Sequence, residues 1–244
     1  MNKELIKQRF KRKLKSYNKN ARIQKQMAER ILEYLPEKEY SSVLEIGCGT
    51  GLLTEKALNK INYSEYTALD IISDCEAYIK KLNDGINFIN CDIEEYIEKT
   101  DKTYDLIISN AALQWIENLP EFIKKMMGKL NPQGVLLFST FGKENFREIY
   151  FVLGKTLPYY SSSELKELLS AYSTQTEEEI RVMAFKTPKE VLKHIQNTGV
   201  NAISKENWTK RDLTNFEAGY NSFCANNPTL TYNPVYVLIK NTSK

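Results

Sequence analysis

The sequence predicts an α/β protein with a doubly wound, mostly parallel sheet, and two observations support this prediction. Across residues 41–141, short apolar segments typical of strands alternate with segments of helical periodicity, which favours parallel strands joined by right-handed crossovers. The first strand runs into a glycine-rich turn before a helix, Glu45-Ile46-Gly47-Cys48-Gly49-Thr50-Gly51. Glycines at alternate positions let the backbone turn sharply and bring its N–H groups against a ligand. We expect residues 1–244 to form a single domain.

Residues 1–36 are predicted to form two helices, the first of which is both amphipathic and basic. Its apolar stripe consists of residues at helical spacing, Ile6, Phe10, Leu14 and Tyr17. The second helix ends at Pro36 and carries a similar stripe, Gln24, Met27, Ile31 and Leu35. Residues 1–25 contain ten lysines and arginines and one glutamate, a net charge of +9 in a chain of formal charge +3. Such a segment attracts an acidic protein or a nucleic acid, or forms a solvated helix face.

Five strands and their connecting helices are predicted over residues 41–141. The strands are expected at Val43–Ile46, Tyr66–Asp70, Ile86–Asn90, Tyr104–Ser109 and Val135–Ser139. The helices are expected from the glycines to about Lys60, after a cap at Ser73, and over Leu119–Leu130. Asn131-Pro132-Gln133-Gly134 is predicted to turn the chain into the fifth strand. The apolar run Leu106-Ile107-Ile108 is typical of a strand that is buried on both faces.

The alternation ends after Phe141, and residues 142–230 are predicted to form a helical elaboration with one strand. Helices are expected near 144–154 and 162–172, and a strand at Glu179–Phe185. A further helix begins at Thr187-Pro188, a good cap and first-turn pair, and ends at Gly199. The final strand is expected within 231–240, around Val235–Ile239, so the elaboration interrupts the last two strands.

The composition argues against several classes of protein. No apolar run approaches the roughly 20 residues that a membrane span needs, and no signal-peptide pattern is present, so we expect a soluble protein with no membrane partner. The four cysteines form no Cys-x-x-Cys pair, and His194 is the only histidine. We therefore expect no metal site, no hydrolase built on a catalytic histidine, and a reducing cytoplasmic location. His194 itself is predicted to be a surface or half-buried helix residue.

Polar residues follow four of the predicted strands, where a doubly wound sheet binds its ligand. Glu45 and the glycines end the first strand, and Asp70, about 20 residues later, is suited to accept hydrogen bonds from ribose hydroxyls. Asp92 ends the third strand and, with Ile93, could bind the edge and face of an adenine ring. Ser109-Asn110 ends the fourth. Each acid could instead cap the next helix, but together they indicate a nucleotide-like cofactor.

The glycine spacing distinguishes among nucleotide-like cofactors. A dinucleotide fingerprint would place its third glycine at Leu52 rather than at Gly51, and no Gly-Lys-Ser/Thr of a phosphate loop is present. The pattern E-x-G-x-G-x-G resembles the first motif of the Rossmann-like class I S-adenosylmethionine-dependent methyltransferases. S-adenosylmethionine fits because it needs ribose and adenine contacts but no pyrophosphate cradle. The expected cofactor-binding residues are Gln24, Glu45, Gly47, Gly49, Gly51, Asp70, Ile71, Asp92, Ile93 and Asn110, and the cofactor-binding core is expected to span residues 41–141.

Further motifs extend the resemblance over nearly the whole chain. They include Phe10, Tyr17, Ala21, Gln24 and Met27-Ala28-Glu29-Arg30 in the head, then Ser109–Trp115, Thr140-Phe141-Gly142 with Asn145–Glu148, Thr187-Pro188, Thr198–Ala202, Trp208-Thr209-Lys210 and Leu230–Val237. Together these motifs resemble the malonyl-[acyl-carrier protein] O-methyltransferases of biotin synthesis. The Asn/Asp-Pro-Pro-aromatic motif of amino-methylating enzymes is absent after the fourth strand, where Asn110-Ala111-Ala112-Leu113 stands. Asn233-Pro234-Val235-Tyr236 is similar to it but begins the last strand.

The resemblance implies methyl esterification of the free carboxylate of a malonyl group on acyl-carrier protein, an early pimelate step. The carboxylate is ionised at pH 7, so no general base is expected. Tyr17 is expected to cover the methyl donor, and Arg147 to grip the carboxylate, while Gln114, Trp115 and Thr140 are expected to line the acceptor pocket. The alternative for Tyr17 and Trp115 is packing in the core. The alternative for Arg147 is a surface ion pair. Acidic carrier protein would be the partner of the basic head.

Two other classes of function stay open. The chain could methylate another small carboxylic acid or an acyl-coenzyme A independently of carrier protein, and indifference to neutralising Lys11, Arg12 and Lys13 would favour this. A non-catalytic or RNA-acting module would use the basic head on phosphates, and salt-dependent nucleic-acid binding would favour that class. The head carries no recognisable base-reading motif, so we expect no nucleic-acid partner.

Overall fold

The computed structural model describes residues 3–198 and 208–242, and these residues form two sheets and ten α-helices. The strands β1 to β9 are Tyr40–Ile46, Tyr63–Asp70, Asn87–Asn90, Tyr104–Asn110, Leu130–Phe141, Ser173–Glu178, Arg181–Ala184, Thr229–Tyr232 and Pro234–Lys240. The helices α1 to α10 are Lys3–Asn20, Arg22–Ile31, Leu52–Leu58, Glu76–Leu82, Ile93–Lys99, Leu119–Met127, Arg147–Leu153, Ser162–Leu168, Pro188–Asn197 and Lys210–Phe223. Within this described part of the chain, no helix is both long and apolar enough to span a membrane.

The main sheet confirms the predicted fold class. Its seven strands have the order β3-β2-β1-β4-β5-β9-β6, and β1 to β5 pair in parallel. The last two strands, β9 and β6, are antiparallel additions at one edge. The strand order reverses between β1 and β4, and a crevice forms outside the carboxyl ends of strands at such a switch point. The glycine turn and Asn110 end these two strands, so the topology brings them to the same crevice.

Apolar runs explain why the central strands are buried. Leu106, Ile107 and Ile108 of β4 have no exposed surface, because helices cover both faces of the sheet. Val43 of β1 belongs to the apolar cluster on one face, and Leu44 belongs to the cluster on the other. Alternate side chains of a strand point to opposite faces, so a continuous apolar run is what a strand covered on both sides requires.

The fifth strand begins earlier than predicted. The predicted turn at Asn131-Pro132-Gln133-Gly134 lies inside β5, where the pairing with β4 shifts register between Tyr104 and Leu106. Gln133 has φ of 63° and donates its backbone N–H to the carbonyl of Asn241, so the chain keeps a partner through the irregularity. A bulge therefore takes the place of the turn, because backbone hydrogen bonds remain available on both sides of it.

The elaboration contains more strand than predicted. The strand expected at Glu179–Phe185 is present as β7, and an additional strand, β6, precedes it; β7 forms a separate two-stranded sheet with β8. The helix expected to end at Gly199 ends at Asn197, and Gly199-Val200-Asn201-Ala202 lie outside the described residues. The other two expected helices of this segment are shorter than predicted, because α7 starts only after the left-handed Phe146 and α8, which starts at its capping box on Ser161, already ends at Leu168.

Candidate functional site

A cavity lies at the carboxyl ends of β1, β2 and β4, with α1 as its roof. Its floor consists of the glycine turn together with 69–72, 91–93 and 110–113. Its roof is one face of α1, formed by Lys3, Ile6, Lys7, Phe10, Leu14 and Tyr17. The stripe that the sequence predicts to pack inward thus covers a cavity, and only Leu14 of the roof residues is buried against the body of the protein.

The glycine turn fits closely against the segment that follows β4. Gly47, Gly49 and Gly51 have φ values of 68°, 53° and 81°, a region that side chains disfavour. A Cβ atom added at Gly47 would lie 2.5 Å from the Cβ of Ala112, which is shorter than any normal contact. The turn therefore requires glycine for its backbone conformation and, at Gly47, also for space.

Asp70 connects β2 to the glycine turn. Its Oδ2 accepts a hydrogen bond from the backbone N–H of Gly49 at 2.9 Å, and its Oδ1 accepts one from Ile72 at 2.8 Å. Burial raises the pKa of Asp70, and the two backbone hydrogen bonds oppose this rise. Each carboxylate oxygen has a second lone pair, so Asp70 can still accept from the hydroxyls of a ribose in the cavity.

Glu45 also lines the cavity, but its hydrogen-bond donors come from the surrounding elements. Its Oε2 accepts from the hydroxyl of Tyr66 on β2 at 2.6 Å and from that of Thr54 on α3 at 2.7 Å. Burial raises the pKa of Glu45 to about 7, and these hydrogen bonds oppose the rise. The geometry therefore gives Glu45 a role in fixing β1, β2 and α3 around the glycine turn.

Asp92 performs the helix-cap function and also faces the roof. Its Oδ1 accepts from the backbone N–H of Glu94 at 2.8 Å, which caps α5, while its Oδ2 accepts from Nζ of Lys3 at 2.7 Å. Nζ of Lys3 also contacts the carboxylate of Glu94. Burial opposes the charge of Lys3, but the hydrogen bonds to both carboxylates outweigh it and raise the pKa of Lys3. Ile93 lines the cavity beside this cluster.

Asn110 is held in place by groups from two directions. Its Nδ2 donates to the backbone carbonyl of Gln24 at 3.0 Å, and its Oδ1 accepts from the hydroxyl of Ser139 at 2.7 Å. The next residue, Ala111, has φ of 51°, and its N–H donates to the carbonyl of Ser139 at 3.0 Å. Gln24 thus supports the site through its backbone, and its buried Oε1 has no hydrogen-bond partner among the described residues.

Three aromatic rings join the roof to the loop after β4. Phe10 lies 6.1 Å from Tyr17 and 5.9 Å from Trp115, between ring centroids, and it meets Trp115 edge to face. Burial and the nearby charge of Asp70 raise the pKa of Tyr17, so its hydroxyl stays protonated. Phe10 belongs to the sequence motifs of the head, but only Tyr17 and Trp115 were expected to act in the site. The helical spacing of Phe10 with Tyr17 was the signal that could have identified it.

Two expected acceptor-pocket residues lie behind the cavity rather than in it. Nε2 of Gln114 donates to the carbonyl of Ala111 at 2.7 Å and so braces the loop after β4. Thr140 is buried in β5 opposite Val235. Neither side chain belongs to the cavity lining that the described residues form. The structure therefore gives both residues a supporting position.

Arg147 lies away from the cavity. It is the first residue of α7, its side chain is 50% exposed, and its Nη1 pairs with Oε2 of Glu144 at 3.3 Å. The structure places the side chain of Arg147 at the surface, and the following residue, Glu148, is the one that α7 turns inward. Glu148 accepts from the N–H of Thr231 at 2.9 Å and from its hydroxyl at 2.6 Å. This part of the motif therefore fastens α7 to β8.

The donors and acceptors of the cavity fit S-adenosylmethionine. The glycine turn has no side chain to block a close approach, Asp70 offers lone pairs to a ribose, and Asp92 with Ile93 offers an acceptor and an apolar face to an adenine. These residues would hold the cofactor along the ends of β1, β2 and β3. The loop of Asn110 and the aromatic rings would then face its sulfonium end.

Comparison with known proteins agrees with this assignment. Residues 17–178 match the family model described as a methyltransferase domain. The chain is 39% identical to the malonyl-[acyl-carrier protein] O-methyltransferase of Calditerrivibrio nitroreducens, over 91% of each chain. It is 34% identical to the protein of that name from Chlorobium luteolum, over 98% of this chain and 95% of the other.

A solved structure with the same fold is the N-methyltransferase NodS of Bradyrhizobium japonicum in complex with S-adenosyl-L-homocysteine. The TM-score is 0.57 at 16% identity, and the match covers 98% of this chain and 99% of the other. This likeness supports the class I methyltransferase fold, while the sequence relatives define the group more narrowly. By its identity over nearly full length to those relatives, the chain belongs to the malonyl-[acyl-carrier protein] O-methyltransferase family.

Proposed function

We propose that this protein transfers the methyl group of S-adenosylmethionine to the free carboxylate of a malonyl thioester carried by acyl-carrier protein. The observation that carries the proposal is a cavity with contacts suited to this cofactor, in a chain 39% identical to a relative that bears the corresponding name. A cytoplasmic location and a place in biotin synthesis remain predictions from the sequence.

The chemistry requires positioning more than acid–base catalysis. Bound S-adenosylmethionine would supply an electrophilic methyl carbon. Its transfer to a carboxylate oxygen, with loss of the carbon–sulfur bond, would give a methyl ester and S-adenosylhomocysteine. The malonyl carboxylate is already ionised at pH 7, so no proton has to be removed. Phe10 and Tyr17 of the roof, together with Trp115 of the loop after β4, exclude water and align the acceptor.

The structure offers a different cation from Arg147 for orienting the malonyl carboxylate. Of the described residues that line the cavity, the cations are Lys3 and Lys7. Lys3 is paired with Asp92, whereas Lys7 has no acidic partner within the described part of the chain. Lys7 is also one helical turn from Phe10, on the same face of α1. We therefore assign the orienting role to Lys7 in place of Arg147.

The outer face of α1 supports the proposal of a carrier-protein partner. Lys11 pairs with Asp74, and Nζ of Lys13 donates to Asn197, so these two residues fasten α1 to the body. Another set of cations is exposed at helical spacing on one face, Arg12, Lys15 and Lys19. An acidic carrier protein on this face would lie directly above the cavity roof. We propose this face as the carrier-protein contact.

The test is methyl transfer from labelled S-adenosylmethionine to malonyl-carrier protein, malonyl-coenzyme A and free malonate, measured in parallel. We expect base-labile label on the malonyl thioesters and the highest kcat/KM with carrier protein. Cofactor binding without transfer to any of the three acceptors would refute the assigned function. Equal rates with carrier protein and coenzyme A would favour the alternative, a carboxyl methyltransferase that does not need the carrier.

A charge-reversal variant tests the carrier-protein contact itself. Replacing Arg12, Lys15 and Lys19 by glutamate should lower kcat/KM for malonyl-carrier protein by about tenfold or more and leave malonyl-coenzyme A almost unaffected. The matched control reverses three exposed lysines elsewhere, Lys60, Lys81 and Lys124. An equal loss in the control would show that net charge, and not the α1 face, determines the effect.

A further inference from the structure

The N-terminal end of the roof is fastened to the residue that would bind adenine. Lys3 is the first residue of α1, and its Nζ lies 2.7 Å from Oδ2 of Asp92. The side chain of Asp92 is 19% exposed and that of Lys3 is 43% exposed, so the pair lies at the rim of the cavity. This contact fixes the start of a helix of 18 residues across the opening.

One oxygen of Asp92 has no part in capping α5. Oδ1 accepts the N–H of Glu94 and so maintains the cap of α5. Oδ2 is therefore the oxygen available to the exocyclic amino group of an adenine, and in this structure Lys3 occupies it. Oδ2 has a second lone pair, so an adenine amino group would share this oxygen with the ammonium group and weaken the hold of Lys3 on Asp92.

Glu94 gives the displaced ammonium group a second partner. Nζ of Lys3 already contacts the Glu94 carboxylate, which is 35% exposed and lies two residues beyond Asp92 in the first turn of α5. Lys3 can therefore leave Asp92 without losing all charge compensation. Its movement is small, because both acceptors are in contact with it from the start.

From this arrangement we infer that Lys3 is a positioning residue that exchanges partners when the cofactor binds: it holds α1 to Asp92 in the empty protein and passes to Glu94 when adenine takes Asp92 Oδ2. The inference rests on the proposed use of S-adenosylmethionine. Other fastenings of α1, among them Lys11 to Asp74, Lys13 to Asn197 and Asn18 to Thr50, involve no oxygen that the adenine would use. The partner exchange therefore acts at the N-terminal end of α1.

The experiment measures association and dissociation rates of S-adenosylhomocysteine by stopped-flow tryptophan fluorescence. In Lys3→Met we expect both rates to rise by about three- to fivefold, because the empty cavity is no longer fastened shut and the filled one is no longer held closed. In Glu94→Gln we expect a faster dissociation with an association rate within about twofold of the parent, because Lys3 keeps Asp92 until adenine arrives.

Lys99→Met is the matched control, because Lys99 forms a Lys–Glu pair with Glu95 within α5 and does not reach α1. Its two rates should equal those of the parent protein. Hydrogen exchange of the α1 amides near Leu5 should increase in Lys3→Met and not in Lys99→Met, while the melting temperature shows that both variants fold. Unchanged rates in Lys3→Met, or equal changes in the control, would overturn the inference. If these rates are observed but the protein does not methylate malonyl thioesters, only the assigned acceptor is overturned.

Discussion

Gly47 and Ala112 approach each other so closely that no side chain fits between them. A Cβ at Gly47 would lie 2.5 Å from the Cβ of Ala112, and this contact joins the turn after β1 to the loop after β4. The two segments end the strands on either side of the switch point, so their distance sets the width of the cofactor crevice. A change at either residue should therefore alter cofactor binding more than folding.

We expect Gly47→Ala to lower S-adenosylmethionine affinity by at least about tenfold, through both the clash and the strain of φ at 68°. Ala112→Gly in the same chain should restore part of the affinity, because it removes the clashing atom. Calorimetric titration measures both. Gly154→Ala is the control for strain alone, since Gly154 has φ of 62° and nothing within 4 Å of an added Cβ. No recovery in the double variant would contradict the steric explanation.

The buried carboxyl of Glu45 should make stability depend on pH. Its pKa is raised to about 7 in the folded protein, so the folded state holds a proton that the unfolded state has released from about pH 4.5 upward. This contribution is complete below pH 4.5 and is lost as pH rises to 7. Between pH 5 and 8 we expect a loss of about 2 kcal/mol in the free energy of unfolding.

Glu45→Gln should remove that dependence, as measured by urea unfolding at pH 5 and pH 8. The pH dependence of stability in the variant is subtracted from that in the parent. This is needed because burial lowers the pKa of His194, which changes stability with pH in the opposite direction. For His194 stability is gained as pH rises towards 6.5, in both proteins alike. Equal pH dependence in parent and variant would contradict the assignment to Glu45.

Phe10 should determine how the acceptor is aligned. Its ring contacts both Tyr17 and Trp115, so Phe10→Ala would leave a gap between the roof and the loop after β4. We expect kcat for malonyl-carrier protein to fall by about tenfold or more, with a smaller change in cofactor affinity. Phe151→Ala is the control, because Phe151 is 64% exposed on α7. If only cofactor affinity falls, Phe10 helps to cover the cofactor and does not align the acceptor.

Substitutions at Arg147 and at Lys7 should have different effects on binding of the malonyl carboxylate. Arg147 is paired with Glu144 at the surface, so Arg147→Ala should keep kcat/KM within about threefold and stability within about 0.5 kcal/mol. Lys7→Gln should raise KM for malonyl substrates by about tenfold while cofactor affinity is kept. Steady-state kinetics distinguish the two. A large loss in Arg147→Ala with normal cofactor binding would return the orienting role to that residue.

The elements that could be predicted from the sequence are those that depend on a continuous local pattern of residues. The run Leu106–Ile108 and the glycine turn each act through neighbours in sequence, so the strand and the turn were correct in place and type. Asp70 and Asp92 were chosen as candidate site residues because they follow predicted strands. Arg147 lies outside the cavity lining formed by the described residues, which the sequence did not show because a pattern of residue types does not indicate which side of a short helix faces the interior. The contact of Lys3 with Asp92 joins residues 89 positions apart and required the fold itself.

The strand β6 was missed because Ser173–Glu178 has no apolar run, and the same polarity has a physical consequence. β6 pairs with β9 on one side and forms the end of the main sheet, so its other backbone groups lack a neighbouring strand in the described sheet. Glu178 places negative charge beside that edge, whereas Glu177 is paired with Arg30. A second copy that tried to add its own β6 there would bring like charges together, which discourages edge-to-edge aggregation between molecules.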